Sequence, residues 1–328
     1  MVSQRPREVY SSREQVSCRD GMVDAAGASI GGSPMWITGP SIKVSRRATT
    51  IRDCVLHMRI GFQACLFTLF TTGFAVTGSG EFARALWGGA VFFLLVSAGV
   101  VSFNSYYDKD DSPVNFLKHP PAATRALLLF SVALLCAGVL AAWSIGPRFG
   151  LISMLCALLG VLYSHPLSRL KVKFGMDLVI NALGYGGLTV LAGAACASEN
   201  FSRQTLYFAA IMSLVVAAGH PLTQLFQYDS DRSRGDTTFT VLVGVDSAFR
   251  ISLVLSAISS IAMARFIAHY FSVPSVVLFL AVAVPANVLL VCWYLLRRRL
   301  DPRKMMYWVY GIAAVGCLLF DWVAYHAL

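Results

Sequence analysis

Acidic side chains are scarce beyond residue 54, yet two short stretches concentrate them: Asp108, Asp110 and Asp111 in YDKDDS, and Asp229, Asp231 and Asp236 in YDSDRSRGD. In each stretch an amide residue precedes an acid by four positions, Asn104 before Asp108 and Gln227 before Asp231. Within a helix that spacing sets both side chains on one face. Two such oxygen-bearing pairs suit a hard divalent cation, because Mg2+ takes one or two carboxylates and completes its octahedron with water and substrate phosphates. A pyrophosphate group held through Mg2+ is the ligand this chemistry fits. Acids this close repel one another unless metal or basic groups compensate; the alternative is a solvated acidic loop.

Basic residues recur in Tyr163-Ser-His-Pro-Leu-Ser-Arg169-Leu-Lys171-Val-Lys173, where cations alternate with apolar residues. Together with Lys118 they could hold the phosphate oxygens that a metal leaves open. The competing reading is a topology signal that meets anionic lipid headgroups.

These residues must be positioned by a chain of 328 residues that is 56% hydrophobic and 13% charged. That composition excludes a soluble monomer. Roughly twenty consecutive apolar residues cross a bilayer, and the runs predict helices near 54–77, 84–106, 124–143, 149–164, 175–197, 205–226, 248–270, 272–296 and 306–327, about nine spans in all. Turn-forming pairs such as Ser112-Pro113, Gly146-Pro147 and Asp301-Pro302 mark the joints. Residues 1–50, rich in Arg, Ser and Gly without a period, read as a disordered cytosolic N-terminal tail, leaving 51–328 as the helical domain. The eight cysteines are scattered without a CxxC pair, so they indicate neither zinc nor a disulfide framework.

The net charge of +10 sorts by topology. With the N-terminus in the cytoplasm, one side of the membrane holds Arg84, Arg148 and Arg203, and nearly all other cations fall on the cytoplasmic side, with Arg59 and Arg265 left to snorkel from helix ends. The basic excess therefore reports an integral multi-pass protein and no nucleic-acid partner. Both acidic stretches lie on that same cytoplasmic side. Asp177 and Asn181 share a helical face ahead of Gly184, Gly186 and Gly187 and are candidates to line a cavity or to bond between helices, while His57 reads as structural.

Taken together, these motifs resemble the UbiA-type intramembrane prenyltransferases, which carry NDxxDxxxD after the second helix and DxxxD after the sixth. Here the first motif reads Asn104-Ser-Tyr-Tyr-Asp108-Lys-Asp-Asp-Ser112, with Ser105 and Ser112 in place of two acids and Asp111 or Asp110 as a replacement for the last. Anchored on Gly235, the second motif has Asp231 at its second acid, Gln227 at its first and Asp229 between them. The stretch from Tyr163 to Lys173 is similar to the family's Tyr-Ser-x-Pro loop with its trailing basic residues.

The resemblance implies an all-α polytopic membrane protein whose helices surround a central cavity open to the cytoplasmic side and to the membrane. It implies Mg2+-dependent transfer of a prenyl group from an isoprenyl diphosphate to a hydrophobic acceptor, in contact with membrane lipid. Asn104, Asp108 and Asp231 would then be catalytic, with Asp111, Gln227 and Asp229 completing the metal set. Lys118, Tyr163, Arg169, Lys171 and Lys173 would bind the diphosphate. A terpene cyclase on the same scaffold would share the ionisation step but attack the cation with its own double bonds. A transporter would instead place ionisable residues at mid-membrane depth, whereas here they concentrate at one surface.

Overall fold

In hydrocarbon a backbone polar group has no partner outside its own segment, so long apolar runs become helices. The computed structural model describes residues 50–327 apart from 79, 110–113 and 174. The tail assigned to 1–50 lies outside the described residues except for Thr50, and Asp110, Asp111 and Ser112 lie outside them as well.

The elements are α1 (Ile51–Leu56), α2 (Ile60–Ala75), α3 (Phe82–Asp108), α4 (Arg125–Trp143), α5 (Pro147–Ser164), α6 (Met176–Ala197), α7 (Arg203–Thr223), α8 (Tyr228–Ser233), α9 (Phe239–Val243), α10 (Val245–Tyr270), α11 (Val273–Leu296) and α12 (Pro302–Ala327). Among the described residues eight helical stretches are long and apolar enough to cross a membrane; the sixteen-residue α2 is apolar but shorter. Large apolar side chains such as Leu129, Leu140, Val254, Ile261 and Val277 point outward, as lipid contact requires.

The first span differs from the helix expected over 54–77. It breaks at Arg59, whose backbone is left-handed (φ 52°), a conformation uncommon for a residue with a Cβ. His57, at the break, is buried and donates from Nε2 to the Pro121 carbonyl oxygen (3.1 Å). Apolar periodicity carries no sign of such a turn, because the residues on both sides of it remain hydrophobic.

Helices α3 and α6 each contain a π-helical stretch, Val91–Ser97 and Ala182–Leu188. Such turns widen a helix and re-aim its side chains, and they recur near functional sites. In the second stretch Thr189 Oγ1 donates to the Gly184 carbonyl oxygen (2.9 Å), and at the end of the first Ser97 Oγ donates to Gln63 Oε1 (2.7 Å), tying α3 to α2.

Helix α2 packs on α6, and α7 packs on α10 and on the π stretch of α6. The α2–α6 crossing is a backbone contact made possible by two glycines. A Cβ on Gly73 would fall 1.9 Å from the Val190 carbonyl oxygen, and one on Gly193 would fall 1.9 Å from that of Phe70. Small residues at such crossings are how membrane helices gain close packing. Gly73→Ala is therefore expected to destabilise the bundle by at least the roughly 1–3 kcal/mol of ordinary overpacking. Gly311→Ala, where a Cβ meets nothing within 4 Å, serves as the control. Thermal unfolding in detergent checks this; equal midpoints for the two variants would refute the crossing.

Candidate active site

The last turn of α3 carries Asn104 and Asp108 on one face, and the turn from Gln227 into α8 carries Gln227 and Asp231. All four line a single cavity of about 490 Å3. The rest of its wall is largely apolar, with Phe62, Leu66, Phe92 and Val101 on one side and Met212, Met263 and Phe279 on another. The cavity thus has one polar end and a long hydrocarbon-like interior, suited to an anionic headgroup on an apolar tail.

Each acid at the polar end already has a protein cation. Lys171 Nζ is ion-paired with Asp108 Oδ1. Arg234 bridges Asp231 (2.6 Å) and Asp236 (3.3 Å), and Arg169 reaches Asp236 (2.7 Å). Lys171 is placed by a single 3-10 turn, Leu170–Val172, that begins at the left-handed Arg169. This loop is tied to the segment after α8 through the Thr237 hydroxyl, which donates to the Val172 carbonyl oxygen. Gly235, at φ 73°, provides the sharp turn that returns Asp236 toward Asp231, and the Asp236 amide donates to the Asp231 carbonyl oxygen (2.9 Å).

Backbone strain gathers here. Among the described residues the non-glycine positions with left-handed φ are Arg59, Lys109, Asn115 and Arg169. Arg59 and Asn115 line the cavity, Lys109 follows Asp108, and Arg169 holds Asp236. Such conformations cost free energy of order 1–3 kcal/mol each and persist where surrounding structure enforces them, commonly at functional sites.

Behind the polar end sits a fully buried anchor. Asp177 Oδ2 accepts hydrogen bonds from Gln224 Nε2 (2.7 Å) and from the Phe239 amide (2.7 Å), while Gln224 Oε1 accepts from the Thr240 amide (3.0 Å). Asp177 thus ties α6 to the end of α7 and to the start of α9. Of the pair considered for the cavity wall, Asn181 lines it and bonds the Tyr163 side chain, and Asp177 does not.

The sequence-derived site residues divide as follows. Asn104, Asp108, Tyr163, Lys171, Gln227 and Asp231 share the cavity. Arg169 reaches it only through Asp236. Lys118, Lys173 and Asp229 are exposed and do not line it, because the turns that carry them direct their side chains to the surface. Asp111 is outside the described residues. Arg59, expected to snorkel, is instead buried: the left-handed turn returns it into the bundle, where Nη2 donates to Ser105 Oγ (2.8 Å). It lines the cavity, as do Arg234 and Asp236. The visible signal for Arg59 was an arginine inside an apolar run; for Arg234 and Asp236 it was their position around Gly235.

The donor set fits Mg2+. Asn104 Nδ2 is committed to Ser164 Oγ (3.1 Å), which leaves the amide oxygen for a cation, and the other candidates are two carboxylates and a second amide. Among the described residues no group of three or more His, Cys, Asp or Glu side chains could form a metal cage.

Paired oxygen donors and cations, beside a largely apolar cavity wall within helices apolar enough to cross a membrane, define an integral membrane protein with an amphipathic internal cavity. The chain belongs to the UbiA prenyltransferase family, whose model matches residues 64–312. It is 27% identical over 222 residues to digeranylgeranylglyceryl phosphate synthase of Haloquadratum walsbyi, covering 65% of this chain and 76% of that one. Its fold is similar to that of a UbiA homologue from Archaeoglobus fulgidus bound to DMAPP and Mg2+ (TM-score 0.66, 19% identity, 84% of this chain and 100% of that chain). The apo UbiA homologue from Aeropyrum pernix K1 is also similar (TM-score 0.58, 20% identity, 76% of this chain and 96% of that chain).

Proposed function

We propose that this prenyltransferase moves a prenyl group from an isoprenyl diphosphate to a hydrophobic acceptor inside the membrane and releases pyrophosphate. The observation that carries this reading is the convergence of Asn104, Asp108, Gln227 and Asp231 on one largely apolar cavity. The ligands of the Archaeoglobus homologue, DMAPP and Mg2+, support it. The four residues would hold Mg2+, which when bound would neutralise charge on the departing diphosphate.

Lys171 and Arg234 offer the remaining phosphate oxygens charge-assisted hydrogen bonds, with Arg169 positioning Asp236 behind them. The prenyl chain lies along the apolar wall, where helices exclude water that would otherwise quench the allylic cation. Phe62 meets Tyr185 (5.4 Å between ring centroids) and Tyr310 (6.2 Å) in the cavity wall, and their ring faces can stabilise positive charge. The charge asymmetry of the connections supports a cytoplasmic polar end and N-terminus.

The test incubates the purified protein in lipid nanodiscs with DMAPP, geranyl or longer prenyl diphosphates and with acceptors of several classes, including aromatic acids, glycerol phosphate lipids and isoprenoid alcohols. Prenylated product by mass spectrometry, with stoichiometric pyrophosphate abolished by EDTA, is the expected result. A cyclic hydrocarbon made from diphosphate alone would replace transfer with cyclisation, and no consumption of any diphosphate would overturn the assignment.

A further inference from the structure

The ion pair between Lys171 and Asp108 occupies the carboxylate that the proposed metal would use. Lys171 is buried, with its side chain 10% exposed and that of Asp108 17% exposed, and both line the cavity. The neighbouring pairs differ: Arg234 and Arg169 are 39% and 48% exposed, so water can take over their charge when those pairs open. Removing Lys171 from Asp108 in the empty cavity would leave a buried ammonium without its hydrogen-bonded counter-ion, which is unfavourable. A diphosphate supplies phosphate oxygens to which that flexible ammonium can turn.

We propose that Lys171 is a cation placeholder: it holds Asp108 in the empty site, opposes metal binding there, and is drawn onto the diphosphate oxygens when substrate arrives, so that metal and diphosphate load together. This rests on the metal–diphosphate reading above and adds a sign that reading does not contain. A lysine that only bound diphosphate would leave metal affinity untouched. One that only braced Asp108 structurally would, when removed, weaken metal binding. A placeholder, when removed, strengthens metal binding to the empty site and weakens binding of metal-free diphosphate.

The experiment titrates Mn2+ into the purified full-length protein without diphosphate, read by electron paramagnetic resonance, and titrates inorganic pyrophosphate in EDTA by calorimetry. Lys171→Met is expected to tighten Mn2+ binding roughly tenfold, the scale of one charge-assisted hydrogen bond, and to weaken pyrophosphate binding by a similar factor. Lys173→Met removes the same charge from the same loop without touching Asp108, and its Mn2+ affinity should change less than about twofold given screening at the surface. The gain should vanish in Lys171→Met combined with Asp108→Asn. Lys171→Gln repeats the test should the methionine variant fail to fold, with melting temperature as the check.

Unchanged or weaker Mn2+ binding in the folded Lys171 variant, or an equal gain from Lys173→Met, overturns the placeholder and leaves prenyl transfer standing. Failure of the wild-type protein to bind Mn2+ even with pyrophosphate present would overturn the metal–diphosphate reading itself.

Discussion

Asp108→Asn should slow prenyl transfer by about 10²–10³-fold, the scale on which loss of one preorganised electrostatic contact to a developing charge acts. The substitution keeps the shape of the side chain and removes its charge from the last turn of α3, where Asp108 meets Lys171 at the polar end of the cavity. Asp231→Asn should act on the same scale, because Asp231 stands in the facing segment with Arg234 as its counter-ion. At saturating Mg2+ both losses should fall mainly on kcat, since the carboxylates would act through the metal, whose neutralisation of the leaving diphosphate matters most as that charge develops. Pyrophosphate release followed at saturating Mg2+ is the measurement. Turnover within twofold of wild type in either variant would remove that residue from the catalytic centre.

Asp177→Ala should destabilise the fold. Asp177 is fully buried and accepts from both Gln224 and the Phe239 backbone amide. Alanine leaves the Phe239 amide without its acceptor and Gln224 Nε2 with only His220 Nε2 (3.2 Å) beside it, and an unsatisfied buried donor costs about 1–3 kcal/mol. Asp177→Asn, which retains an oxygen at the same reach, should cost less. The damage should spread to the active site, because the Asp177–Gln224–Thr240 chain holds the start of α9 to α7, and the segment leading into α9 carries Asp236 and Thr238. Thermal unfolding in detergent, with circular dichroism at the helix band, checks the order wild type, Asn, Ala; an unshifted midpoint for the alanine variant would show that this anchor contributes nothing.

Much of the architecture could be read from hydropathy, because in a bilayer the requirement for internal hydrogen bonding converts a long apolar run into a helix whatever its neighbours. The expected run over 124–143 and the observed Arg125–Trp143 nearly coincide. Hydropathy could not show the break at Arg59 or the π stretches in α3 and α6, since these leave composition unchanged and depend on what packs alongside. The candidate site was legible in part for a related reason. Charged groups are costly within the membrane-embedded part of a chain, so the few carboxylates kept beyond residue 54 stand out, and the four-residue spacing from Asn104 to Asp108 and from Gln227 to Asp231 needs only a helix to be meaningful.

The cations were harder. Arg169, Lys171 and Lys173 differ little as sequence, yet one is exposed and paired to Asp236, one is buried on Asp108, and one faces outward away from the cavity. A single 3-10 turn beginning at a left-handed arginine makes that division. Asp177 shows the same limit: its spacing from Asn181 predicted a shared face, but only the approach of α7 and α9 made it an anchor and left Asn181 in the cavity wall. Sequence by itself determined the helices and the chemical types available to the site, because burial in lipid and helical spacing are local constraints. Tertiary structure alone decided that Lys171 meets Asp108 and that Arg169 meets Asp236, because those pairs join separate turns 63 and 67 residues apart and no local pattern encodes that distance.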